Sequence, residues 1–305
     1  MTESVFNPTP LREPGNVRVW IRRLVWKIVI ATLALMVVGS ATRVMNAGLA
    51  CPDWPLCYGQ WIPSQQMNLQ VFLEWFHRLD ASLIGFSTIA LVGLSVWYRR
   101  ELPGWMIPSS IAALALILFQ GILGGLTVTR LLQFDIVTAH LGTALLFFST
   151  LIVIAVCLTP YRSTNTAGSL APVGGIATGL VYLQCLLGGL VGSRWAAHQC
   201  LTASQLCTVM NSHIIGVFPA TLSVIILVFL AWRTPALHPV LRTLAFTAGA
   251  LVALQILLGI ATLKLHLQVE PLTITHHTIG ASLVGTLVAF TAFAARDRSL
   301  SPTSL

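Results

Sequence analysis

The chain has 305 residues, of which 56% are hydrophobic and 9% charged, with a net charge of +8 and a mean hydropathy of +0.83. Soluble domains do not reach that balance, so the chain belongs in a bilayer. The excess of positive charge needs no nucleic-acid partner, because membrane topology and anionic inner-leaflet lipid account for where it lies.

Residues 1–25, MTESVFNPTPLREPGNVRVWIRRLV, lack a short apolar core followed by small residues, and they carry Glu3 and Glu13. They read as a cytoplasmic tail rather than a cleaved signal or a mitochondrial presequence. Eight apolar runs follow, at 26–45, 77–98, 107–129, 137–159, 173–194, 210–232, 241–263 and 273–295. Each is long enough to cross a hydrocarbon core of about 30 Å. They are expected to be helices, since lipid offers no partner for unpaired backbone groups and the runs lack the alternation of barrel strands. The predicted fold class is an all-α integral membrane protein.

Orientation follows from the basic residues. With the amino terminus inside, twelve of the seventeen face the cytoplasm, and only Arg43, Arg78, Arg130, Arg194 and Lys264 lie outside. The expected setting is a bacterial plasma membrane with both termini cytoplasmic.

Internal similarity organises the spans. QGILGGLTV (120–128), QCLLGGLVG (184–192) and QILLGIATL (255–263) mark the third, fifth and seventh, with VVGSATR (37–43) a weaker copy in the first. HRLDASLIG (77–85), HLGTALLFF (140–148), HIIGVFPAT (213–221) and HTIGASLVG (277–285) open the even spans. A helix pair is therefore used four times. Grouped in twos, it gives two tandem four-helix bundles of like orientation, 26–160 and 173–295, related by a pseudo-twofold axis along the membrane normal. Residues 161–172 form a cytoplasmic linker and 296–305 a cytoplasmic tail. At the adjacent His276 and His277, aligning ASLIG with ASLVG selects His277 and turns His276 elsewhere.

His77, His140, His213 and His277 thus share one depth near the outer surface, each expected at the start of its helix. Zinc favours ligands clustered in one site. Two histidines per half, on separate helices, suit paired axial ligation of haem iron better. Ala81, Ala144, Val217 and Ala281, one turn below, leave room for a macrocycle on the same face; ordinary tight helix packing explains them as well. Glu74 precedes His77 by three residues in EWFHR, and no acid precedes the other three histidines. A carboxylate at that depth is costly unless paired or functional, so the halves are chemically unequal. Arg43, Arg130, Arg194 and Lys264 close the odd spans and, with Arg78, could meet haem propionates or act as interface anchors.

Cys51 and Cys57 lie in the first outer loop, where oxidising conditions permit a disulfide. Cys200 and Cys207 occupy the matching loop of the second half. Each pair reads either as a structural staple or as a redox pair. Cys157 and Cys185 fall in apolar spans as packing residues.

GLACPDWPLCYG in the first outer loop, EWFHR at the second span, and the QxxLGG and His repeats together resemble the heme A synthase family, in its cysteine-containing bacterial form, over nearly all of 26–295. The resemblance implies an oxidoreductase that converts the C8 methyl of haem O to a formyl group, giving haem A for cytochrome oxidase. It implies that the amino-terminal half, with His77 and His140, receives haem O, and that the carboxy-terminal half, with His213 and His277, holds haem b. Glu74 matches the family's essential acid, and Cys51 with Cys57 its first-loop pair. Haem O synthase, the oxidase assembly machinery and an electron donor are the implied partners. Two other classes fit the same residues: a diheme cytochrome b that only relays electrons, and a membrane thiol-disulfide oxidoreductase.

Overall fold

In the computed structural model, residues 14–192, 205–265 and 268–299 are described. They form eight helices long and apolar enough to cross a membrane. In chain order these are α1 (Pro14–Val44), α2 (Leu69–Trp97), α3 (Met106–Thr129), α4 (Phe134–Leu158), α5 (Leu170–Val191), α6 (Gln205–Arg233), α7 (Pro239–Lys264) and α8 (Glu270–Ser299). The all-α membrane architecture read from the sequence is the one observed.

Two starts differ from the apolar runs. Helix α1 begins at Pro14 rather than near residue 26. Val17, Ile21, Val25 and Ile28, at helical spacing, bury one face of this polar-looking segment. Arg18 Nε donates to the Glu101 carbonyl at 3.0 Å, docking the same segment on the α2–α3 turn. Helix α2 begins at Leu69, because the Asn68 side chain caps it by accepting from the Val71 amide. Hydropathy cannot see either extension: a one-faced apolar stripe and a polar cap both lower the window average.

The two halves close in the same way. Helices α1 to α4 pack in a ring, α1 on α2, α2 on α3, α3 on α4 and α4 back on α1, and α5 to α8 repeat that circuit. The rings meet through α1 and α4 on one side and α5 and α8 on the other. Helices α4 and α8 are consequently the most buried, and Phe147, Leu151, Phe290 and Leu287 are among their fully buried side chains. Gly285 lets α8 approach α4: a Cβ there would come within 2.7 Å of the Phe148 ring.

At the end opposite the first loop, the linker between the halves is clamped by one carboxylate. Asp297, fully buried, accepts from the amides of Thr164, Thr166 and Ala167 at 2.8–3.0 Å and from the Tyr161 hydroxyl at 3.0 Å. Arg296 donates to the Val156 and Thr159 carbonyls and lies over the Tyr161 ring. A buried carboxylate is tolerated only when so fully satisfied. Asp297→Ala strands several buried donors, each costing about 1–3 kcal/mol, and is expected to lower the thermal midpoint of the detergent-solubilised protein clearly, with Asp297→Asn intermediate. An unchanged midpoint would show that the clamp carries no stability.

Candidate haem-binding site

The loop after α1 is folded onto α2 by two side chains. Cys51 and Cys57 form a disulfide with Cα atoms 4.8 Å apart, and both are buried against Val71. Glu74, only 4% exposed, accepts from the Cys51 amide at 2.7 Å through Oε2. Its Oε1 pairs with Arg78, four residues on. Arg78 in turn donates to the Asp53 carbonyl at 2.6 Å and the Leu56 carbonyl at 2.5 Å. The sequence implies an essential acid at Glu74 and offers Arg78 as a propionate partner. In the structure each also ties the disulfide loop to the helix that carries His77.

Asp53 turns the same loop by accepting from the amides of Tyr58 at 2.6 Å and Gly59 at 2.7 Å. Desolvation pushes its carboxyl upward, but those two amides and the Arg78 charge outweigh it, and the net direction is below the ordinary carboxylate value. Gly59 sits at φ +69°, a left-handed position that suits glycine. The loop then reaches over α3, where the Trp54 indole lies against Gly125; a Cβ there would fall 3.2 Å from the ring. Trp54 and Pro55 form part of the wall of the cavity below.

The histidines lie roughly two turns inside their helices rather than at the first residue, because α2, α4, α6 and α8 begin earlier than the apolar runs. His77 and His140 face one another, with ring centroids 6.5 Å apart and planes tilted by 53°. Glycines of the odd helices make room for the imidazoles. A Cβ on Gly39 would lie 2.8 Å from His77 Nε2, on Gly124 3.5 Å from His140 Cε1, and on Gly188 2.9 Å from His213 Cε1.

The glutamine one turn earlier on the same face completes the device. Gln120 Nε2 donates to the His140 carbonyl at 2.9 Å, and Gln184 Nε2 to the His213 carbonyl at 2.6 Å, lying also 3.0 Å from His213 Nδ1. The repeated Gln-x-x-x-Gly was visible in the sequence, but its role was not. It pins the facing helix and clears space for the histidine.

The fourth repeat departs from the alignment. The histidine opposite Gly259 and Gln255 is His276, whose Cε1 would meet a Gly259 Cβ at 3.2 Å and whose Nε2 lies 3.3 Å from Gln255 Nε2. His276 was expected to turn elsewhere. Instead both neighbours line the cavity, since adjacent helical residues diverge by about 100° and α8 is bordered by α7 on one side and α1 and α5 on the other. His277 takes the second direction: its Nδ1 is 2.8 Å from Ser40 Oγ of α1, and its Nε2 lies 3.7 Å from where a Gly192 Cβ would be.

All five imidazoles line one continuous cavity of about 1280 Å³ that runs through both rings, together with Glu74, Arg43 and Arg78. That exceeds the roughly 300–1,000 Å³ of an ordinary single-ligand pocket. Ala81, Ala144, Val217 and Ala281 line it as well. Arg43 reaches across the ring interface to donate to the Gly189 carbonyl at 2.7 Å. Arg130 and Lys264 stand exposed at the ends of α3 and α7 and are not among the residues that wall the cavity. Arg194, Cys200 and the Cys207 side chain lie outside the described residues. Cys157 and Cys185 are free thiols, and Cys185 borders the cavity.

The donor set fits a haem better than zinc. Among the described residues no three His, Cys, Asp or Glu side chains cluster as a closed metal site would require. The buried imidazole nitrogen His140 Nδ1 lacks any hydrogen-bond partner there. The 6.5 Å between the His77 and His140 centroids leaves room for two metal–nitrogen bonds of roughly 2 Å plus two ring radii.

The chain is 28% identical to a heme A synthase of Shewanella oneidensis, across 90% of this chain and 96% of that protein. It is 27% identical to a heme A synthase of Caulobacter vibrioides, across 87% and 94% respectively. A heme A synthase of Geobacillus thermodenitrificans matches at 33% over 46% of this chain and 42% of its own length. Residues 22–288 match the model of the COX15-CtaA family, described as cytochrome oxidase assembly protein. A match covering most of the chain, on a fold of eight membrane helices with paired histidines around one cavity, makes this protein a member of the COX15-CtaA family of cytochrome oxidase assembly proteins.

Proposed function

We propose that the protein is a heme A synthase: an oxidoreductase of the bacterial plasma membrane that oxidises the C8 methyl of haem O to the formyl group of haem A. The observation that carries this reading is the facing pair His77 and His140 beneath a loop tethered through Glu74. One half then offers two buried imidazoles and a carboxylate, and the described residues of the other offer imidazoles without a carboxylate.

In this reading His77 and His140 hold the substrate haem O by its iron, and His213 with a histidine of α8 holds haem b. Haem b supplies one-electron transfer when bound. The protein's own contributions are positional and electrostatic. Gly39 and Gly124 leave the substrate-side imidazoles their space, and Gln120 fixes the backbone that carries His140. Trp54 and Pro55 cover the cavity and keep water from the reacting edge. Glu74, at the cavity wall, takes or returns protons as the methyl group is oxidised, while Arg78 keeps its carboxylate aimed.

The histidines and the disulfide loop stand at one end of the bundle, and most of the basic residues at the other. A stable disulfide belongs in an oxidising compartment, so the haem sites face outward and the termini inward. Haem O then comes from its synthase within the membrane, and haem A passes to the oxidase assembly machinery.

Expression, haem extraction and chromatography test the assignment. Haem b together with haem O or haem A is expected, and a protein free of haem would overturn it. Glu74→Gln is expected to cut haem A formation at least ~100-fold, the scale of a lost acid–base group, with haem b content unchanged; full activity would favour a diheme electron carrier instead. His213→Ala is expected to abolish haem b binding and haem A formation together. A thiol oxidoreductase would tolerate that change and fail on Cys51→Ser with Cys57→Ser.

A further inference from the structure

Helix α8 offers two imidazoles to the carboxy-terminal half of the cavity, and the hydrogen bonds separate them. His213 has Nδ1 as the ring nitrogen turned to the protein, 3.0 Å from the Gln184 amide nitrogen that donates to the His213 carbonyl. His277 is held in the same sense, with Nδ1 2.8 Å from Ser40 Oγ and Nε2 over Gly192. His276 is held in the opposite sense: its Nε2 faces Gln255, and its Nδ1 is the buried nitrogen without a partner. Only His277 therefore matches His213 in orientation, although His276 occupies the repeated position opposite the glycine.

Ser40 belongs to α1, 237 positions away and in the other ring. Three residues along, Arg43 makes a second crossing to the Gly189 carbonyl of α5. The outer part of α1 thus serves both halves. Its Gly39 makes room for His77, and the next residue meets His277.

We infer that Ser40 is a positioning residue for the second haem: its hydroxyl oxygen accepts the Nδ1 proton of His277, fixing the tautomer that presents Nε2 to iron, while His276 stays with Gln255 and does not ligate. The inference rests on the haem reading above. A metal-bound imidazole is oriented, and made a stronger donor, by the group that accepts its other N–H. The amino-terminal ring therefore tunes the cofactor of the carboxy-terminal ring directly.

The test uses the purified full-length protein with its co-purified haem b, followed by redox titration and electron paramagnetic resonance. Ser40→Ala is expected to retain haem b but to shift its midpoint potential upward and move the g values of the low-spin ferric signal, because the weakened imidazole donor stabilises ferric iron less. Ser40→Thr is expected to restore both. His277→Ala is expected to lose the low-spin haem b signal and His276→Ala to keep it. A Ser40→Ala protein with wild-type potential and spectrum overturns the inference, as does loss of the signal in His276→Ala with retention in His277→Ala; the functional reading survives either result. Wild-type protein without haem b removes both.

Discussion

An imidazole inside a bilayer-spanning bundle has to sit against another helix, and that is possible only where the neighbour gives up its side chain. Everything distinctive about the cavity follows from this constraint. Gly39, Gly188 and Gly259 each remove a Cβ that would crowd a histidine ring, and Gly124 stands at contact distance from His140. Where Gln120 and Gln184 stand one turn earlier, the facing helix is also fixed axially through its backbone carbonyl. The same Gln-x-x-x-Gly spacing stands in α3, α5 and α7, with a leucine at position 35 in place of the glutamine in α1, and it accompanies a set of buried imidazole nitrogens. Lipid cannot satisfy such nitrogens. Several find protein partners, whereas His140 Nδ1 and His276 Nδ1 have none.

Duplication sets the two halves alike, and the loops and the ring interface make them different. In the first half Glu74 and Arg78 draw the disulfide loop down over His77, and Trp54 is accommodated by the glycine beside Gly124. The described residues of the second half carry no corresponding acid, but they receive Ser40 and Arg43 from the first. A ring that borrows a partner from its neighbour cannot be altered alone. This is the physical sense in which the chain is one unit rather than two linked bundles, with the Asp297 clamp making the same connection at the opposite end.

Adjacent positions on α8 obey two different packing registers. The Ala-Ser-Leu motifs place His277, not His276, in register with His77. That motif records packing further along α8, toward α4, whereas the Gln-x-x-x-Gly of α7 contacts the preceding residue. The two registers differ by one position, and a helix bordered by neighbours on several sides can obey both. Arg130 and Lys264 were grouped with Arg43 by position at the end of an odd helix. Only Arg43 lies where the two rings meet, and there its guanidinium finds a carbonyl of the other ring.

The sequence by itself determined the eight helices, their grouping in twos and the cysteine-bearing first loop. Hydrophobic length, repeat spacing and loop composition are local properties, and lipid leaves the backbone no alternative to a helix. Only the tertiary structure decided which imidazole nitrogen meets which partner. It also decided that Glu74 is paired with Arg78 and the Cys51 amide, that Asp297 gathers the linker, and that α1 contributes to both halves. Those contacts join residues tens to hundreds of positions apart across helix faces. The rotation of each helix about its axis selects them, and that rotation is set by packing against several neighbours at once rather than by any one segment of the chain.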